Sequence, residues 1–192
     1  MNLKTCFQTR NVLLHTFLSL SFLASPMQAD DTQSLAIPVS DDGLPGEGPI
    51  RRYDWFKNLW LRKRTGWVDL IEQDQNSVVF LGDSITQGWN DSFRGHFKHL
   101  KKSNRGISGD TTRGVLIRMQ EDVLSLNPSG IVLLIGTNDL EEGARPRVIA
   151  GNVNLILKKL QSHRADMPII LCKVFPSDSS KKRPASSIKQ IN

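Results

Sequence analysis

Cysteine is almost missing from this 192-residue chain, which has Cys6 and Cys172 and no others. Two thiols so placed exclude a disulfide framework. Long apolar runs are missing too. The longest, VLLHTFLSLSFLA from Val12 to Ala24, has thirteen residues, short of the roughly 20 that a bilayer-spanning helix needs. The glycines of GDSITQG, 82–88, are not followed by Gly-Lys-Ser or Gly-Lys-Thr, so a P-loop is not supported. Histidine is scarce, with four in all and none after His163, and acidic side chains are outnumbered 19 to 25 by Lys and Arg, for a net charge of +6.

What is present begins at the N-terminus. Lys4 and Arg10 precede the apolar run, and SPMQADD follows it with a small residue at Ala29. This is the layout of a secretory signal peptide spanning 1–29; a frayed N-terminal helix or an uncleaved anchor are the alternatives. Cleavage after Ala29 would remove Lys4, Arg10 and Cys6, bring the charge from +6 to +4, and leave Cys172, within PIILCKV, as a thiol expected to be buried and inert. The expected location is secreted or periplasmic, with no stable membrane span after signal removal. Arg51, Arg52, Lys57 and Arg62 to Arg64 lie among Trp55, Trp60 and Trp67. Such a cluster can face nucleic acid or an anionic surface. An export signal argues against nucleic acid, and a solvated helix face is the expected reading.

Residues 30–50 are rich in Asp, Gly, Pro and Ser and read as a flexible linker. Folded structure is expected from 51 to 192, long enough for one domain with its own core. Apolar spacing predicts helix over 53–72, broken near Gly66. Then come a strand at 78–82, helix at 91–100, a short strand near 103–107 and helix at 111–125. A strand at 130–135, a helix at 146–163 with Pro146 in its first turn and a strand at 168–174 complete the alternation. Such alternation implies an α/β fold with a parallel sheet covered by helices.

Polar segments interrupt this pattern after three successive strands: GDSIT at 82–86, NRGISGDTT at 104–112 and GTND at 136–139. In a parallel sheet these strand ends share one edge, so the three can converge on one site. Each alone is unremarkable: a turn, a helix N-cap at Asp110 or Thr111, a loop. Together they supply matched chemistry. Ser84 offers a hydroxyl at an exposed strand-to-helix turn, a weak nucleophile until a base takes its proton. Attack on an ester places negative charge on the former carbonyl oxygen, which needs donors already aimed at it. The Ser84 backbone N–H, a backbone N–H at Gly109 and the neutral amide of Asn138 can serve.

FLGDSIT, NRGISGDTTRGVLIRM and IVLLIGTND together resemble the first three sequence blocks of the SGNH (GDSL-type) hydrolase superfamily. The resemblance is especially to the branch similar to platelet-activating-factor acetylhydrolase catalytic subunits. The resemblance covers roughly Val78 to Pro176. It implies a flavodoxin-like three-layer α/β/α sandwich, Ser84 as nucleophile, Gly109 and Asn138 as oxyanion donors, and no metal or organic cofactor. The implied activity is that of a serine esterase or acylhydrolase removing acetyl or other short acyl groups from a carbohydrate or lipid ester through an acyl-enzyme. The partner expected is a small-molecule or polysaccharide ester, and oligomeric state is not legible.

The family carries a fourth block, Asp-x-x-His, whose His is the base and whose Asp orients it. No His follows His163 and no Asp follows Asp178, so the sequence reads as truncated before that block and the fold as incomplete at the C-terminus. His96 and His99 are expected on a surface helix, and His163 at the far edge of the sheet. Asp83 and Asp139 are expected to fix loops, and Asp178 to lie in a turn; none is assigned catalysis. The alternative function is a catalytically incomplete remnant that at most binds an ester or acetylated sugar.

Overall fold

A computed structural model describes residues 35–177 and 182–192. The expected signal segment 1–29, the start of the linker and Asp178 lie outside the described residues. Four parallel strands form one sheet: β1 (Val78–Gly82), β2 (Lys102–Gly106), β3 (Gly130–Leu134) and β4 (Ile169–Leu171), in the order β2-β1-β3-β4. With flanking helices, this is an α/β fold with the strand order of a flavodoxin-like sandwich. The helices are α1 (Asp54–Val68), α2 (Ile71–Asp74), α3 (Ser84–Gln87), α4 (Thr112–Asp122), α5 (Thr137–Glu141), α6 (Pro146–His163) and α7 (Ala185–Ile191).

Alternation along the strands selects the core face. Val79 and Leu81 of β1, with Ile131 and Leu133 of β3, point to one side and are buried against Val115 and Met119 of α4 and Ile156 and Leu160 of α6. Each such side chain removed from water contributes roughly 1.5–3 kcal/mol. The opposite face carries Phe80, whose ring lies 4.7 Å from Phe93 and 5.4 Å from Phe97. Helix α6 starts at Pro146, where a missing N–H costs nothing, and buries Ile149, Asn152, Ile156 and Leu160 along one stripe.

Three expectations about helices and strands change. The helix expected at 91–100 is a 3-10 turn at Phe93–Gly95, with Asn90, Phe93, Arg94 and Phe97 all at positive φ. Helix α1 runs through Gly66 without a break. Strand β4 is shorter than 168–174, because beyond Cys172 the backbone of Val174 pairs with the side chain of Asn192 at 2.8 and 2.9 Å instead of with β3. Cys172 is half-buried, and burial pushes its thiol pKa up.

The segment expected to be a linker makes folded contacts from Leu35 onward. Leu35 and Ile37 are buried, and the Leu35 carbonyl accepts from Trp60 Nε1 at 2.9 Å and Arg64 Nη1 at 2.8 Å. Further along, Asn152 exchanges two hydrogen bonds with the backbone of Glu47, and Arg113 Nη1 donates to Asp41 and to the Gly48 carbonyl. Among the described residues no helix is long and apolar enough to cross a membrane.

Candidate active site

The sheet register puts three strand ends in one row: Gly82 of β1 pairs with Gly106 of β2 and with Leu134 of β3. The three polar segments leave from that row. The row needs small residues, since a β-carbon at Gly106 would stand 2.3 Å from the Gln87 backbone nitrogen of α3. Ser84 opens α3 and is exposed, directly after the buried Asp83. Asp83 caps this short helix, its Oδ1 accepting from Ile85 N at 2.9 Å, and burial raises its pKa. Two further contacts fasten α3 to the β2 side: Asn104 Nδ2 donates to the Thr86 carbonyl, and Ser108 N donates to Gln87 Oε1.

Gly109 lies in the turn after β2 at φ +90°, a conformation that favours glycine. A side chain there would also meet Trp55 Cη2 at 2.7 Å and Arg51 Nη1 at 2.9 Å. The next residue, Asp110, is fully buried and receives Arg118 Nε at 2.8 Å. Burial nevertheless pushes its carboxyl up to about 7, opposed by the charge of Arg118. Thr111 caps α4, its hydroxyl oxygen accepting from Gly114 N.

Asn138, buried in α5, reaches both neighbours. Its Nδ2 donates to the Asp110 carbonyl at 2.8 Å and stands 3.5 Å from Asp83 Oδ2, so the amide is next to the residue that precedes Ser84. Ser84 at the start of α3, Gly109 in the turn after β2 and Asn138 in α5 are thus joined through Asp83 and Asp110. Asp139 ties α5 to α4, accepting from Thr112 N at 3.0 and 3.1 Å and from its hydroxyl at 2.5 Å. Burial raises its carboxyl to about 6, opposed by those donors. Asp83 and Asp139 therefore act on loops.

Beside Ser84 is a cavity of about 120 Å³, lined on its apolar side by Ile85, Leu134, Ile135, Val174 and Phe175, with Arg183 at its edge. Among the described residues no histidine lines it. His96 stacks edge-on to Trp89 after the 3-10 turn, and His163 ends α6, ahead of β4.

Several residues at the site were not singled out by sequence. Arg51, expected on a solvated face, is buried and paired to Glu142 at 2.7 Å and Glu141 at 2.9 Å. Glu141 also receives Arg183 at 2.6 Å, which with Arg51 holds its pKa down. Arg64, from the same basic cluster, is buried against Asp122. It belongs to a buried network in which Arg105 pairs with Asp74 at 2.7 Å, and Arg118 Nη1 stands 3.6 Å from Asp122 Oδ2, an ionic contact beyond hydrogen-bond reach. Trp60 and Trp67 lie beneath these guanidinium groups. The four-residue spacing of Trp60 and Arg64 was the available signal, since it puts both on one helix face.

Comparison with known proteins shows the family. The model of the GDSL-like lipase/acylhydrolase family matches residues 80–192. Platelet-activating factor acetylhydrolase IB subunit alpha2 of Homo sapiens is 28% identical over 153 residues, which cover 78% of this chain and 62% of that protein. The chain therefore spans less than two thirds of that relative's length. A solved GDSL-like lipase from Bacteroides thetaiotaomicron is 26% identical with a TM-score of 0.55, covering 66% of this chain and 67% of its own. A solved chain from Streptococcus pneumonia, 20% identical, shares the fold at a TM-score of 0.63 over 72% of this chain and 68% of its own.

Proposed function

Because the chain belongs to the GDSL-like lipase/acylhydrolase family, we propose that its chemistry is that of a serine ester hydrolase with Ser84 as nucleophile. The observation that carries this reading is the Asn138 amide, held between the Asp110 carbonyl and Asp83 beside an exposed Ser84. One N–H of that amide is committed to Asp110, which fixes its plane. The other faces Asp83 at 3.5 Å, a long contact that a substrate oxygen can replace.

In the proposed reaction Ser84 Oγ bonds to the ester carbonyl carbon as its proton passes to a base. The resulting oxyanion accepts hydrogen bonds from Ser84 N–H, Gly109 N–H and Asn138 Nδ2. Each donor lowers the barrier by roughly 3 kcal/mol. Collapse of the intermediate breaks the bond to the alcohol, which leaves with the proton, and water then releases the acid from the acyl-enzyme. A cavity of about 120 Å³ holds the volume of about four waters. It suits an acetyl or other short acyl group of a carbohydrate or lipid ester.

No residue of the sequence matches the Asp-x-x-His block that supplies the family's base. Together with the absence of histidine from the lining of the cavity among the described residues, this favours a second reading for these 192 residues: they bind an ester without turning it over. Hydrolysis of p-nitrophenyl acetate by this chain, and by one continued through an Asp-x-x-His block from a relative, separates the two. The enzyme reading expects little turnover from the first and Ser84-dependent turnover from the second, since a triad adds about 10²-fold or more to what donors achieve alone. An inactive continued chain would leave only binding.

We further propose that the protein is exported to the periplasm or medium, on the charged, apolar and small-residue order of 1–29. Sequencing the N-terminus of the chain from a secreting host tests this. A start near Asp30 is expected, and a retained Met1 on exported protein would refute cleavage.

A further inference from the structure

Two of the chain's large aromatic side chains are displayed to solvent beside the proposed oxyanion turn. Tyr53 and Trp55 are each 53% exposed, and their rings run parallel, with an interplanar angle of 10° and centroids 6.4 Å apart. Scattered apolar exposure is ordinary, but a paired aromatic surface at the rim of a site marks a place where something binds. The rim of the indole, at Cη2, packs against Gly109 so closely that a β-carbon there would be 2.7 Å away.

The pair is held in place. Trp55 meets Phe56 edge-on at 5.6 Å, and the buried Arg51 guanidinium lies 5.9 Å from the indole centroid. Arg51 is anchored in turn by Glu141 and Glu142, and Tyr53 Oη donates to Glu142 Oε2 at 3.2 Å. These residues precede 80–192, the part matched by the family model.

We propose that Tyr53 and Trp55 form a platform for a sugar ring, so that the ester taken at Ser84 is an O-acyl group on a carbohydrate. This rests on the reading of Ser84, Gly109 and Asn138 as one ester site. The strand order places Gly109 and Trp55 on the β2 side of Ser84 and the small apolar cavity on the β3–β4 side. The acyl group enters the cavity and the alcohol part extends over the aromatic pair. A pyranose with equatorial substituents presents a face of C–H bonds, which packs on a flat ring, and a rim of hydroxyl oxygens. The Tyr53 hydroxyl and the Glu142 carboxylate stand at the platform's edge to meet that rim. An alkyl chain carries no rim of hydroxyl oxygens to meet this border.

The test is binding, which needs no turnover and so is independent of whether Ser84 proves catalytic. The full chain is titrated with methyl tetra-O-acetyl-β-D-glucopyranoside, followed by saturation-transfer NMR and calorimetry, beside dihexanoyl phosphatidylcholine kept below its micelle concentration. The axial ring protons of the sugar should receive the strongest saturation. Trp55→Ala should weaken sugar binding about ten-fold, and Trp55→Phe, which keeps an aromatic face, within about three-fold. The near-ultraviolet circular dichroism of both variants is compared with that of the parent chain to certify the fold. Unchanged sugar affinity in a folded Trp55→Ala chain would overturn the platform, as would equal Trp55 dependence for the phospholipid. Trp55-dependent sugar binding, with no Ser84-dependent hydrolysis in the chain continued through an Asp-x-x-His block, would uphold the platform and refute the esterase reading alone.

Discussion

At position 109 the backbone holds φ +90°, and the space a β-carbon would fill is already taken by Trp55 Cη2, Arg51 Nη1 and Phe56 Cδ2. Two separate costs therefore meet in Gly109→Ala: a left-handed backbone that L side chains rarely adopt, and the displacement of Trp55 and Arg51 from their packing. The substitution should destabilise the fold by about 1–3 kcal/mol, read as a lowered urea midpoint with an unchanged slope. Alanine tolerated within experimental error would mean that the turn can relax, and that the close approach of Trp55 to residue 109 is not required. Ser84 and Asn138 could be singled out in the sequence because each follows an apolar run that stops abruptly, and Gly109 because it lies in a glycine-rich turn between a strand and a helix. Arg51 and Arg64 could not. Their neighbours Arg52, Lys57, Arg62 and Lys63 make the whole stretch read as a solvated cationic face. Burial against Glu142 and Asp122 distinguishes them, and for Arg64 the four-residue spacing from Trp60 is the one sequence signal that it shares a face with an apolar residue.

Elements with one dominant signal were legible, and those where two signals compete were not. Helix α6 was readable to the residue, because Pro146 sets its start and the apolar stripe has a single period. Strands β1 and β3 were readable because both are continuous apolar runs ended by a glycine or a polar turn. The segment 91–100 carries aromatic residues at helical spacing, yet local polar contacts prevail there. Asn90 Oδ1 accepts from the backbone N–H groups of Ser92 and Arg94 and from the Ser92 hydroxyl, while Asn104 Nδ2 holds the Asn90 carbonyl. Side-chain bonds of this kind draw the backbone away from a helical ladder. In α1 the competition has the opposite result. Gly66 weakens a helix by roughly 1 kcal/mol, but Trp60, Arg64 and Trp67 are buried on either side of it, and the helix continues. The segment from Leu35 to Pro49 shows the remaining limit. Its Asp, Gly and Pro residues signal irregular backbone correctly, but its tethers come from Trp60, Arg64, Arg113 and Asn152, all far away in sequence.

Across the whole molecule, the buried carboxylates set an unusual dependence on pH. Asp83, Asp110, Asp122 and Asp139 are all raised by burial, Asp110 to about 7 and Asp139 to about 6. The carboxylates held low, Asp41, Asp54 and Glu141, are at or near the surface, where ion pairs contribute little. An unfolded aspartate loses its proton near pH 3.9. Between about pH 4 and pH 7 the folded chain consequently binds more protons than the unfolded one. Stability falls wherever the folded state holds the extra protons, so this fold should weaken as pH rises through that window. This is the reverse of ordinary acid denaturation. Urea unfolding should show a loss of roughly 2–4 kcal/mol from pH 5 to pH 8. Asp139→Asn, which removes one of the raised groups and keeps an oxygen to accept from Thr112, should flatten the curve between pH 5 and 7. A stability that stays level or climbs from pH 5 to pH 8 would show that Arg118 and the Thr112 donors outweigh the burial of Asp110 and Asp139, leaving both carboxylates ionised at ordinary values inside the fold.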